Sequence, residues 1–279
     1  MKVILAKNAG FCEGVKRAFN MAKQVARKGK RPIFILGPLV HNEEVIRHLE
    51  KQGIKKIENF EELAQGTLII SAHGVGPNIQ TRVREKEIEI RDATCPKVLK
   101  THILADFSKK KNIPLIIIGD KKHREVQGIS GWAGKKAVVI SEIEEIKDIK
   151  FEKDKPVNLI SQTTQDVEKV KKLIAFLKKQ LTQLRVYNTI CLATFKRQKE
   201  IRKLAKENDI VIVVGSKTSA NTKRLVKIAQ EINPKTYFIS KASGLKKEWL
   251  RGIKTAAVTA GASTPDWIIK KVVDKLRVL

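Results

Sequence analysis

The chain has 279 residues, 42% of them hydrophobic, and carries 57 Lys and Arg against 29 Asp and Glu, a formal charge of +28. That length buries a substantial core and lies near the size at which one core divides into domains. No stretch approaches the ~18 consecutive apolar residues of a membrane span, and Met1 to Gly10 reads as a strand rather than a signal peptide, so a soluble, unprocessed, cytoplasmic protein is expected.

From the N-terminus, Val3-Ile4-Leu5 predicts a first strand and Val15 to Arg27 an amphipathic helix, followed by a strand at Ile33-Phe34-Ile35 and a helix over Val45 to Glu50. Strands are next expected at Leu68-Ile69-Ile70 and Ile88-Glu89-Ile90, then a helix over Lys97 to Lys110 and a strand over Leu115 to Ile118. Val138-Val139-Ile140 and Leu159-Ile160 continue the series, with a helix over Val167 to Leu181, a short strand at Val186-Tyr187-Asn188, a helix over Arg197 to Glu207, and strands at Ile210 to Val214 and Ala256-Ala257-Val258. Apolar β-branched runs alternating with Lys-rich helices predict an α/β protein with mainly parallel sheets.

The cysteines punctuate that alternation. Cys12, Cys95 and Cys191 each follow a short strand and open a basic helix, which divides the chain into three similar α/β units over residues 13–95, 96–188 and 189–279, with strand 1–12 joining the third. Three widely separated cysteines form neither a disulfide framework nor a local zinc knuckle, and they suit a reducing compartment. If the helix N-termini converge, their positive dipole ends favour thiolates and an anionic cluster in a pseudo-threefold arrangement.

Polar residues collect just beyond the strand ends, where ligands bind in parallel α/β sheets. They are His41, His73, His123 with Glu125, Thr163, Ser216, Ser219 and Ser263 with Thr264, and imidazoles, hydroxyls and close-approach glycines there suit a small phosphorylated ligand. Taken singly, a Ser or Thr at a helix start is also an ordinary cap, and a lone Cys is also a small buried hydrophobe.

The charge draws polyanions, acidic proteins or phosphorylated substrates. Nucleic acid is therefore expected to be attracted non-specifically, but aromatics are only 5% of residues and no RNP-like, KH-like or zinc-finger pattern occurs. A basic nucleic-acid binder with a structural metal, a zinc hydrolase with Cys and His ligands and an enzyme with a thiolate-held cluster are all open at this point. A brown anaerobic preparation separates the last from the colourless zinc protein.

The surrounding words are more specific. Gly10-Phe11-Cys12-Glu13-Gly14-Val15-Lys16-Arg17-Ala18, Leu36-Gly37-Pro38-Leu39-Val40-His41-Asn42, Ser71-Ala72-His73-Gly74-Val75, Asp92-Ala93-Thr94-Cys95-Pro96 and His123-Arg124-Glu125-Val126 run in order. Gln162-Thr163-Thr164, Thr189-Ile190-Cys191-Leu192-Ala193-Thr194, Gly215-Ser216 with Ser219 to Thr222, and Thr259 to Pro265 complete the set, which resembles the 4-hydroxy-3-methylbut-2-enyl diphosphate reductase (LytB/IspH) family along essentially the whole chain.

That resemblance implies a trefoil of three α/β domains around a 4Fe-4S cluster held by Cys12, Cys95 and Cys191, with one iron lacking a protein ligand. It implies that His41, His73, His123, Ser219, Asn221 and Ser263 bind the substrate diphosphate, that Thr163 meets the substrate oxygen, and that Glu125, with His123 beside it, supplies protons. Ala220 stands where many members carry a second serine, which removes one candidate hydroxyl. The implied reaction is reductive dehydroxylation to isopentenyl and dimethylallyl diphosphate, the last step of the non-mevalonate isoprenoid pathway. For such a reaction the +28 surface should steer an acidic one-electron donor such as ferredoxin or flavodoxin.

Overall fold

A computed structural model describes residues 1–61, 63–86, 88–146, 152 and 154–279. In chain order the elements are β1 (Lys2–Leu5), α1 (Glu13–Lys28), β2 (Ile33–Leu36), α2 (Glu43–Glu50), β3 (Ile54–Ile57), β4 (Thr67–Ile70), α3 (Pro77–Arg84), β5 (Glu89–Asp92) and α4 (Pro96–Lys110). They continue with β6 (Leu115–Ile118), α5 (Arg124–Ala133), β7 (Ala137–Ile140), β8 (Val157–Ser161), α6 (Val167–Lys178) and β9 (Leu184–Val186). The last are α7 (Leu192–Glu207), β10 (Ile210–Val214), α8 (Ala220–Gln230), β11 (Thr236–Ile239), β12 (Thr255–Ala260) and α9 (Asp266–Val278).

The strands form three four-stranded sheets in orders β3-β2-β4-β5, β7-β6-β8-β9 and β11-β10-β12-β1, and every pairing is parallel. The three orders are one pattern: within each sheet the fourth strand lies outermost beside the third, and the first lies between the third and the second. In the last sheet the fourth place is taken by β1, whose Val3 to Leu5 pair with Ala256 to Val258.

Sequence explains which strands are central. All five residues of β10, Ile210 to Val214, are fully buried because apolar clusters cover both faces, and each such side chain contributes roughly 1.5–3 kcal/mol on leaving water. Edge strand β3 instead exposes Lys55 and Lys56, whose charges discourage pairing with another chain. The sheet of β6 to β9 is likewise covered on both faces, by clusters around Ile116 and Ile117.

By packing, the described residues divide into two compact units, residues 1–16 with 40–48 and 192–279, and residues 17–39 with 49–191. The first contains the sheet closed by β1; the second contains the other two. Two strands sit slightly off their expected places, since β5 runs on to Asp92 and β9 ends at Val186. Among the described residues no helix is long and apolar enough to cross a membrane.

Candidate active site

Each cysteine occupies the same place in its repeat. Cys12, Cys95 and Cys191 immediately precede α1, α4 and α7, and all three are half-buried and outside any disulfide. Their backbone N-H groups donate to the carbonyls of Ala262 (3.2 Å), Ala72 (3.0 Å) and Thr163 (3.0 Å). Those acceptors are the second residues past β12, β4 and β8, the strands neighbouring the cysteine strand in each sheet. Each thiol therefore sits at a helix start, on a loop tied by its own N-H to the neighbouring strand end.

Neighbouring side chains fix the loops that carry the cysteines. Within the first unit, Glu200 on α7 accepts from the N-H groups of Lys7 (2.7 Å) and Asn8 (3.0 Å), while Arg197 donates to the carbonyls of Gly10 (2.6 Å) and Ala193 (3.0 Å). In the second, Arg17 donates to the carbonyl of Thr94 at 3.1 Å, and Thr189 Oγ1 accepts from Ser161 N-H (2.8 Å) and donates to Ser161 O (2.7 Å). Arg197 is 5% exposed, so a cation is held inside the fold beside the segment leading to Cys12. Soft sulfur donors on fixed loops, with the buried Arg197 cation beside the segment that leads to Cys12, are ligands of the kind an iron-sulfur cluster takes.

The polar residues follow the same register. His41, His123 and Ser219 each lie five residues past β2, β6 and β10, while Glu43, Glu125 and Asn221 lie seven past the same strands. His73, Thr164 and Ser263 each lie three past β4, β8 and β12. Gly119 and Gly215 directly follow β6 and β10, and a Cβ there would come within 2.7 Å of Val126 and 2.5 Å of Thr222, so only glycine lets the next helix start this close.

At the start of α5, His123 Nδ1 accepts from Glu125 N-H at 3.2 Å, which places the hydrogen of the neutral ring on Nε2. The rings of His73 and His123 meet edge-on, 5.6 Å between centroids. Glu125 is only 2% exposed, and its two carboxylate oxygens accept from Thr163, one from the N-H at 2.6 Å and the other from Oγ1 at 2.9 Å. An acid and a hydroxyl are thus joined with a single hydrogen bond between side chains, a short path for a proton.

On the first unit, Ser219 caps α8 by accepting from Thr222 N-H at 3.2 Å, and Ser263 donates to the His41 carbonyl at 3.0 Å. Asn221 is 4% exposed, yet neither Nδ2 nor Oδ1 has a partner among the described residues. Such a group costs roughly 1–3 kcal/mol unless something else satisfies it, which suits a ligand-binding amide.

Glu125 is thus brought together with Thr163, and His73 with His123. Glu43, Arg17, Arg197 and Glu200 were not singled out from sequence. For Arg197 a signal existed: it falls on the buried face of α7 with Thr194, Ile201 and Leu204, and a cation on an apolar stripe is out of place unless it has work.

Residues 3–277 match the family model described as LytB protein. The chain is 40% identical over 276 residues to the 4-hydroxy-3-methylbut-2-enyl diphosphate reductase of Trichlorobacter lovleyi, covering 99% of this chain and 98% of that one. It superimposes on the solved structure of the E-1-hydroxy-2-methyl-but-2-enyl-4-diphosphate reductase from Plasmodium falciparum with a TM-score of 0.94 at 31% identity, covering 98% of this chain and 87% of that one. A second solved structure, of (E)-4-hydroxy-3-methyl-but-2-enyl diphosphate reductase, matches over 100% of both chains at 36% identity and a TM-score of 0.74. With its three cysteines in one repeated position and its motifs matched from end to end, the chain belongs to the LytB family.

Proposed function

We propose that this protein is a cytoplasmic 4-hydroxy-3-methylbut-2-enyl diphosphate reductase, built from units 13–95, 96–188 and 189–279 with strand 1–12 joining the third. The observation that carries the reading is the repeated setting of Cys12, Cys95 and Cys191, each at a helix start with its N-H on the second carbonyl past the neighbouring strand. When bound, a 4Fe-4S cluster on these thiolates, with one iron lacking a protein ligand, supplies electrons singly and a Lewis-acid position. Overall, the substrate C-O bond breaks, the hydroxyl leaves with one proton as water, and the allylic fragment takes up two electrons and a second proton.

The chain's own residues hold the substrate and move protons. His41, His73, His123, Ser219, Asn221 and Ser263 bind the diphosphate, and Asn221 gains the partners its amide lacks. Ser263 releases the His41 carbonyl to turn its hydroxyl toward a phosphate oxygen. Protonated Glu125 passes a proton to Thr163 Oγ1, which hands on its own to the substrate hydroxyl, and His123 Nδ1 fixes the Glu125 backbone while it does so. Burial of Glu125 and Thr163 keeps bulk water from short-circuiting that transfer. An acidic one-electron carrier such as ferredoxin or flavodoxin is the donor that the +28 surface suits.

The test is anaerobic. Cys12→Ser, Cys95→Ser and Cys191→Ser are expected each to lower iron per chain and abolish turnover of the hydroxylated diphosphate. Wild-type iron with full activity in any one of them rules out the shared cluster.

A further inference from the structure

Glu43 sits at the start of α2, at the register position that Glu125 and Asn221 occupy in the other repeats, yet the reaction outlined above gives it no task. Its Oε1 accepts from Ser216 Oγ at 3.0 Å and from Thr218 Oγ1 at 3.3 Å, tying residue 43 to the loop after β10 within the same compact unit. Ser216 in turn accepts from Thr218 N-H at 3.0 Å, and its hydroxyl lies 2.7 Å from that of Thr218. Ser216 has one hydrogen to give, and the carboxylate takes it.

Burial raises the Glu43 pKa, but its hydrogen bonds with its own N-H, Ser216 and Thr218, together with Arg47, outweigh that and leave it below the usual value, so it is ionised at neutral pH. A carboxylate beside an anion-binding loop has two opposite consequences. Its charge repels phosphate, and its lone pairs fix the loop. The two bonds to hydroxyls from a distant part of the chain favour the second, because they order the turn that ends at the Ser219 cap and at the unpartnered amide of Asn221.

We propose that Glu43 is a positioning residue of the 216–221 loop, holding Ser216 and Thr218 so that Ser219 and Asn221 are set for a diphosphate. This rests on the reading of Ser219 and Asn221 as diphosphate ligands, and the experiment separates the two. Inorganic pyrophosphate is titrated calorimetrically into holoenzyme of wild type, Glu43→Ala, Glu43→Gln and Ser219→Ala, and KM and kcat are measured alongside. Glu43→Ala should weaken pyrophosphate binding and raise KM by roughly 10-fold, the loss of one charge-assisted hydrogen bond, with kcat within about 2-fold. Glu43→Gln, which keeps one acceptor, should fall between wild type and Glu43→Ala, and it serves alone should Glu43→Ala fail to fold. Unchanged or tighter binding in the glutamine variant overturns the proposal, because repulsion then outweighs positioning. If Ser219→Ala binds pyrophosphate as wild type does, it is the reading of the loop that fails.

Discussion

Glu125 and Thr163 are separated by 38 positions in sequence and joined by two hydrogen bonds in the fold, and their pairing is the most specific chemistry in the chain. Glu125→Gln keeps the shape and one acceptor but removes the acid, so kcat should fall by roughly 10²–10⁴-fold with iron content unchanged. Steady-state kinetics with iron analysis check it, and unchanged turnover would assign proton delivery elsewhere. His102 on α4 shows a different consequence of burial. It is 3% exposed, stacked 5.9 Å from Trp132, and neither ring nitrogen has a partner among the described residues. Burial pushes its pKa from 6.5 down to about 4, against the opposing charge of Asp92. Between those values the unfolded chain binds more protons than the fold, so this contribution is complete above about pH 6.5 and is lost as pH falls toward 4. Up to about 3 kcal/mol is involved. In urea titrations from pH 7 to 4.5, His102→Phe should therefore lose less stability than wild type. The motif residues were legible because their words are local. Glu43 was not, because its partners Ser216 and Thr218 lie 173 and 175 positions away and only the folded sheet ends bring them near.

At the scale of elements, the loops after β10 and β12 close on one side chain. A Cβ on Gly215 would come within 2.5 Å of Thr222 Oγ1, and one on Gly261 within 2.1 Å, while Thr222 itself is fully buried. Gly261→Ala should therefore cost about 1–3 kcal/mol by overpacking, read as a lower thermal midpoint. It should also weaken pyrophosphate binding more than an alanine at Gly252, where nothing lies within 4 Å although φ is +69°. Central strands such as β6 and β10 could be read from sequence because a strand buried on both faces is a continuous apolar run. Strands β3 and β11 could not. Ile54-Lys55-Lys56-Ile57 carries two exposed lysines, and Thr236 to Ile239 has two half-buried positions, so neither has the fully buried apolar run of β6 or β10. The starts of α1 and α4 lie within two residues of their expected places, whereas α7 starts at Leu192, five residues before Arg197 and directly after its cysteine.

Over the whole molecule, the charge of +28 acts on any partner that must approach through solvent. Ionic screening shortens to ~8 Å at physiological salt, so reduction by an acidic protein donor should slow as salt rises while a small neutral mediator is little affected. Stopped-flow reduction across a salt series with both donors is the measurement, and equal salt dependence would give the charge another use. The α/β class and the three cysteine-bearing repeats were both legible in the sequence, because each repeat restates the same strand-to-helix transition. Individual pairings across the sheets were not, since parallel strands meet only through long crossovers. The closure of the third sheet by β1 adds a consequence in time. Lys2 to Leu5 leave the ribosome long before Thr255 to Ala260, the strand they pair with. At roughly 5–20 residues per second, that interval is on the order of tens of seconds, within which the two sheets of the second unit become complete in sequence. Strand β1 thus waits for β12 before it is seated, and Cys12, seven residues beyond β1, reaches its place against Ala262 only once that later strand has emerged.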